Sequence, residues 1–207
     1  MMCKRRMQAL AVVAMMICAG CGAQAPRATD AGVYDIGKMR VTLNTGWYEQ
    51  RRSDLPSSQA PSKTWSRDGL DRDRLFVTGG VKDGEPIFKA SDHPGLPVFR
   101  SDMSAIETAD VVAKSLQRVL WNASASVAAS NARERGFTGL PGFEFELSAM
   151  VPDSADHRGI AGGFIEEGRL YLTVYLAESP GYFERHQQAA QAVIDSSVPT
   201  MRTIIRW

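Results

Sequence analysis

The stretch Leu170-Tyr-Leu-Thr-Val-Tyr-Leu176 decides the fold. Successive side chains of an extended strand point to opposite faces. Leu170, Leu172, Val174 and Leu176 therefore share one face, and Tyr171, Thr173 and Tyr175 share the other. A strand with one wet face carries polar groups at every second position. This one carries aliphatics on one side and mostly aromatics on the other, so both faces require burial. It is expected at the centre of a sheet with a layer packed on each side.

Working outward, Arg158–Ile165 reads as the preceding strand, joined to this one at Glu166-Glu167-Gly168, and Gly142–Met150 and Ser126–Asn131 read as strands before it. Nearer the start, Met39, Val41 and Leu43 alternate on one face, Trp47-Tyr48 open a further stretch, and Thr64–Arg67 and Leu75–Lys82 come after it. Asp83-Gly84 ahead of Pro86-Ile87-Phe88 is a hairpin signal. The Pro/Ser-rich segment Ser53–Lys63 reads as an exposed loop. Ser104-Ala-Ile-Glu107 is a capping box, and Ile106, Ala109, Val112, Ala113, Leu116, Val119 and Leu120 give the helix behind it an apolar stripe. A second helix is expected from Ser179-Pro180, as cap and first helical residue, with Phe183, His186, Ala190, Val193 and Ile194 inward and Pro199 as its end. Strands, helix, strands, helix is the order of an α+β fold, a largely antiparallel sheet with helices packed on it as an α/β/α sandwich.

The first 20 residues have the three parts of an export signal. Lys4-Arg5-Arg6 precedes an apolar run from Ala9 to Ala19, about half the roughly 20 residues that a membrane-spanning helix needs. Cys18-Ala19-Gly20-Cys21 resembles the lipobox of bacterial lipoproteins, with Cys18 where Leu is usual. That resemblance implies cleavage before Cys21 and acylation of its thiol and freed amine. Ala23-Gln24-Ala25 offers the rival cut of an ordinary signal peptidase. Cys3, Cys18 and Cys21 are the only cysteines, so cleavage before Cys21 leaves one thiol with no partner for a disulfide, and acylation would consume it. Stable anchoring takes at least two acyl chains. By the sorting pattern of Gram-negative lipoproteins, Gly22 in place of Asp points to the outer membrane, facing the periplasm.

Residues 21–207 hold 21 basic and 23 acidic side chains, a balance that speaks against nucleic acid as a partner. Residues 21–37, the acylated cysteine and an aperiodic stretch, read as a flexible tether about 22 Å in mean span. Residues 38–199 read as one α+β domain and 200–207 as a C-terminal tail. In that tail Arg202, Ile204, Ile205, Arg206 and Trp207 would dock on the domain, fray, or meet a partner or the bilayer interface.

Residue patterns for chemistry are sparse. Gly136-Phe-Thr-Gly139-Leu-Pro-Gly142 lacks the spacing of a phosphate loop and precedes a strand, so it reads as a loop. Ser154, Asp156 and His157 supply the residue types of a hydrolytic triad, but neighbours in one loop rarely converge on one atom. His93, after Asp92, falls in a turn-rich stretch. His186 reads as a packed helix residue. Glu144 and Glu146 are about 7 Å apart on one strand face, and ion pairing or solvation is the expectation over acid–base work. Asp68, Asp71 and Asp73 read as a surface turn, since Leu75 breaks the calcium-loop pattern. No catalytic residue, metal ligand or cofactor is expected.

Gly46-Trp47-Tyr48, Asp83-Gly84-Glu85-Pro86, Arg169-Leu-Tyr-Leu172, Tyr182-Phe183-Glu-Arg185 and Ile194-Asp-Ser-Ser197 together resemble proteobacterial lipoproteins whose mature domain is similar to the PsbP-like fold. That fold is shared by an extrinsic photosystem subunit and a Ran-binding import factor. The resemblance spans roughly Met39 to Val198 and matches none of those relatives' metal- or partner-binding residues. It implies an adaptor or binding domain. The expected function is thus a non-enzymatic binding or accessory domain, anchored to the membrane by lipid and open to an envelope protein partner. The alternatives are a periplasmic hydrolase with a dispersed site and an assembly subunit of an outer-membrane complex.

Overall fold

A computed structural model describes residues 27–51, 56–121 and 123–200. The expectations for the export signal, for Cys21 and for residues 201–207 lie outside these described residues. The elements are β1 (Arg27–Thr29), β2 (Gly32–Ile36), β3 (Met39–Leu43), β4 (Trp47–Glu49), β5 (Ser62–Ser66), β6 (Asp73–Lys82), α1 (Ala105–Trp121), β7 (Ser126–Phe137), β8 (Leu140–Met150), β9 (His157–Glu166), β10 (Arg169–Glu178), α2 (Tyr182–Asp195) and β11 (Val198–Pro199). Eight strands form one sheet in the order β1-β4-β5-β6-β10-β9-β8-β7, and β11-β3-β2 form a smaller one. Every pairing is antiparallel.

Strand β10 lies inside the large sheet and Leu170–Ala177 are all buried. Leu170, Leu172, Val174 and Leu176 face one apolar layer with α1 and the 87–99 segment, which contribute Ile87, Phe88, Phe99, Val112 and Leu116. Tyr171 and Tyr175 face the other, with Trp47, Phe183, Val193, Ile194 and the small-sheet residues Met39, Val41 and Leu43. Between the tyrosines, the buried Thr173 hydroxyl meets that of Ser197 at 3.2 Å. The turn from β9 into β10 uses Glu167 and Gly168, at φ 49° and 67°, the positive pair that a two-residue hairpin turn requires.

The capping box of α1 forms, with Ser104 N–H donating to Glu107 Oε2 at 2.8 Å and Glu107 N–H donating to Ser104 Oγ at 3.3 Å. Ile106, expected in its apolar stripe, is 69% exposed, because the buried arc runs through Thr108, Ala109, Val111, Val112, Ala113, Ser115 and Leu116. The second helix starts at Tyr182, behind Gly181, rather than at Ser179-Pro180. The Glu184 carboxylate reaches back to accept from Gly181 N–H at 2.6 Å and Ser179 Oγ at 2.8 Å, which fixes the start two residues later. The Asp83-Gly84 turn forms, but its partner is Phe99 rather than β6: Gly84 N–H donates to Phe99 O, and Phe99 N–H to Glu85 O. Both neighbours of β6 are already taken, by β5 and β10.

Two boundaries move. Residues 27–36 are not tether, because β1 pairs with β4 and β2 with β3, satisfying their backbone groups inside the domain. The domain therefore begins before residue 38. The glycine series 136–142 is mostly ladder, with β7 running to Phe137 and β8 starting at Leu140.

The small sheet reaches the large one where Gly37 and Gly79 cross. A methyl at Gly79 would overlap the Ile36 carbonyl, while its own N–H donates to Pro61 O at 2.9 Å. Similarly, a Cβ at Gly162 would stand 2.6 Å from Ile194 Cγ2 of α2. Gly79→Ala is expected to destabilise the domain by about 2–3 kcal/mol or more, as overpacking does. Gly84→Ala, at φ 76° with open space around it, costs only the backbone strain of about 1 kcal/mol. Urea unfolding of the two variants reads the difference, and equal losses would show that the crossing is not tight.

Candidate functional site

The cleft of interest forms where the large sheet thins out. Strand β4 is short, and its last link to β5 is Gln50 N–H donating to Thr64 O at 2.9 Å. The edge of β5 at Ser62-Lys63 opens onto a strap from Pro56 to Pro61. The strap is held by Lys89 N–H donating to Ser57 O, Gln59 N–H to Ile87 O and Gly79 N–H to Pro61 O, at 2.8, 3.1 and 2.9 Å. Edge and strap enclose a cleft of about 1060 Å³. α1 packs instead across β7 and β8, at the far end of the sheet.

Four cations from four parts of the chain line this cleft: Arg27 of β1, Arg51 after β4, Lys63 of β5 and Lys89. Among the described residues that line it, the carboxylate is Glu49, 2.8 Å from Lys63 Nζ; Asp92, bonded by Ser91 and Ser57 and close to Lys89, is held below the usual carboxylate range by them. Lys63 also sits over the Tyr34 and Trp65 rings, at 5.9 and 5.8 Å. Ser57, Ser58, Ser62 and Thr64 add hydroxyls, and Gln50 and Gln59 add amides. The arrangement is a polar cleft in which Lys63 pairs with Glu49 and Lys89 stands near Asp92.

The residues singled out in the sequence lie elsewhere. Cys21 is outside the described residues. His157 is buried, its Nδ1 3.0 Å from Ala155 O and its ring edge-on to Trp121 at 5.4 Å, so it serves packing and not a triad. His186 Nε2 is 2.6 Å from Asp68 Oδ2, and this contact ties α2 to the 67–73 turn. Asp73 is no surface residue: it is 1% exposed, and its carboxylate accepts from the backbone N–H groups of Arg67 and Asp68. Burial of a short acidic side chain that organises its own turn is the reason. Glu144 is bound by Arg133 and Arg135, and Arg135 also pairs with Asp195 at 2.7 Å; Glu146 is exposed. Among the described residues, no three His, Cys, Asp or Glu side chains gather to hold a metal. The cleft cations are scattered from residue 27 to residue 89, so no run or spacing announced them. The Pro/Ser-rich composition of 53–63 marked the strap but not its partner at 87–89.

Four groups have pKa values displaced chiefly by burial: Asp73 and Tyr175 upward, Arg74 and His157 downward. None of them lines the cleft. For His157 the sign follows from its depressed folded value. As pH falls below the ordinary His value of about 6.5 the unfolded chain takes the proton first, so stability is lost, by at most about 1.4 kcal/mol per pH unit. His157→Gln is expected to flatten the fall in stability between about pH 6.5 and about pH 5. Chemical unfolding across that range checks it, and parallel slopes in the two proteins would refute it.

No family model matches the chain, and no curated protein matches it. Solved structures do. The cyanobacterial PsbP protein CyanoP of Synechocystis sp. PCC 6803 superposes with a TM-score of 0.55 at 13% identity, covering 83% of this chain and 94% of its own. The Ran-binding protein Mog1p of Saccharomyces cerevisiae gives 0.50 at 8% identity, covering 83% and 97%. A single-residue variant of Mog1 gives 0.51 at 8% identity, covering 86% and 100%. At such identities the likeness concerns architecture alone. The chain has the PsbP-like fold.

Proposed function

We propose that this chain is a non-enzymatic binding domain of the bacterial envelope, anchored through acylated Cys21 at the outer membrane and facing the periplasm. The observation that carries the binding reading is the cleft itself. It offers cations, hydroxyls and amides from several elements, while the groups whose pKa burial displaces lie outside it. Catalytic sites concentrate displaced titratable groups in a cleft, and binding sites need only converging polar contacts. The anchor rests on Lys4-Arg5-Arg6, the apolar run and Cys18-Ala19-Gly20-Cys21. Since β1 starts at Arg27, the tether shrinks to residues 22–26, and the domain rides within about 20 Å of the acylated residue at roughly 3.3–3.6 Å per residue.

Two measurements test the proposal. Cys21→Ala is expected to move the protein from the detergent-soluble membrane fraction to the periplasm, or to leave unprocessed precursor. A wild-type mature protein that starts at Pro26 without lipid, by intact mass, would end the anchor reading. A photo-crosslinking residue at Ser57, in the cleft, is expected to give adducts in intact cells that the same residue at Glu134 of β7 does not. Equal adduct patterns would remove the cleft from the proposal.

A further inference from the structure

The two helices are held to the sheet in unlike ways. Polar contacts tie α2 along its length. Its Asp195 pairs with Arg135 of β7 at 2.7 Å, and Glu184 stands 3.8 Å from Arg158 of β9. The Tyr182 hydroxyl accepts from Arg72, and His186 meets Asp68 at 2.6 Å, both in the turn before β6. Among the described residues α1 has no such tie. Lys114 bonds Asp110 of the same helix, and Gln117 and Arg118 bond loop carbonyls, those of Ala125 and Pro94. None of these bonds reaches a strand, and the Trp121 ring adds only its edge-on contact with His157. From this contrast we infer that α1 is a movable cover: it undocks from β7 and β8 as one unit while the sheet and α2 stay folded.

The apolar packing of α1 is thin as well. Of its buried residues only Leu116 is larger than valine; the others are alanines, valines, Thr108 and Ser115. Stabilisation follows the apolar area removed from water, so such a face docks weakly for its length. Thr108 and Ser115 are fully buried, and neither hydroxyl has a hydrogen-bond partner. A buried donor left unpaired carries its full desolvation penalty, and that penalty is relieved when the helix lifts and water reaches the hydroxyls. The rim is unfinished too: Leu120 of α1 and Val127 and Ala129 of β7 pack against this layer but are only partly buried.

The rest of the molecule is built to survive the move. On the same face, Ile87, Phe88 and Phe99 go on covering the sheet. Their segment is pinned by Phe99 N–H donating to Glu85 O and Lys89 N–H to Ser57 O. The other face keeps α2 and the small sheet. Just past α1, Ala123 stands at φ 63°, a value that few residues with a Cβ adopt, and release of the helix lets it relax. What opening uncovers is apolar. Phe143 and Phe145 of β8 are stacked with centroids 6.1 Å apart, and Leu147 follows them on the same strand; all three are buried in this layer.

Native-state hydrogen exchange of the whole mature protein, read residue by residue by NMR below its urea transition, is the test. A helix released from its packing is only marginally stable in water, so the amides of α1 exchange once it undocks. Those of Ala109–Leu116 are expected to exchange at least about tenfold faster than those of Leu170–Ala177, with a shallower urea dependence, because this opening exposes less surface than global unfolding. Thr108→Val with Ser115→Ala removes the unpaired hydroxyls with little change of shape, and is expected to slow exchange in α1 by about tenfold or more. Val193→Ala, in the core under α2, is expected to speed exchange of Leu170–Ala177 and leave that of α1 unchanged. Amides of α1 that share the rate and urea slope of β10 would overturn the inference. So would an unchanged α1 rate in the double variant, or equal acceleration of α1 and β10 by Val193→Ala.

Discussion

Eight consecutive buried residues on β10, Leu170 to Ala177, set the terms for everything around them. Each large side chain there contributes about 1.5–3 kcal/mol when removed from water, and they alternate between two faces, so a single covering layer would leave half of that unrealised. Two layers are obligatory. On one side α1 and the 87–99 segment supply Val112, Leu116, Phe88 and Phe99; on the other α2 and the small sheet supply Phe183, Ile194, Met39 and Leu43. The tyrosine face adds a stacked pair, Phe164 on Tyr171 with ring centroids 4.9 Å apart. Layers this close need points where backbone meets backbone, and Gly79 against Ile36 and Gly162 beneath Ile194 are such points.

That constraint is why so much of the architecture was legible. Alternation in Leu170–Leu176 identified the central strand and both layers, and the Ser104–Glu107 box and the stripe of α2 located the helices that fill them. Signals failed where a local preference met a tertiary competitor. Ser179-Pro180 has the chemistry of a helix start, but the Glu184 carboxylate bonds both Ser179 Oγ and Gly181 N–H and the helix begins after them. Asp83-Gly84 turns the chain as expected, yet both edges of β6 are occupied and the hairpin partner is displaced to Phe99. Residues 27–36 carry no marked alternation of their own and become strands because β4 and β3 offer open edges. Asp73 looked like a surface residue because a sequence does not show that its carboxylate will hold the amides of Arg67 and Asp68.

The cleft was illegible for a different reason. Its cations belong to four separate elements, and each alone is an ordinary surface charge. Only the pairing of the 57–59 strap with 87–89 and the strand order that sets β1, β4 and β5 side by side bring them to one place. Periodicity reports on what is buried, and nothing in this wall depends on burial of an apolar face.

Charged side chains on short edge strands also keep sheets from adding further strands, and that plainer role covers part of the cluster. Lys63 and Glu49 pair across β5 and β4 at 2.8 Å, and Arg27 sits opposite Glu49 in the β1–β4 register, as edge protection would have it. Edge protection does not cover Lys89, which belongs to the 87–89 side of the strap and to no strand of that sheet. Nor does it explain the strap, because an edge defended by charge has no need of a second wall. The strap costs conformational entropy of about 1–2 kcal/mol for each residue held, and its backbone bonds to Ile87, Lys89 and Gly79 offset that cost while leaving the cleft open beneath it. A wall built at such cost beside an already protected edge is better accounted for by what it encloses than by what it keeps out.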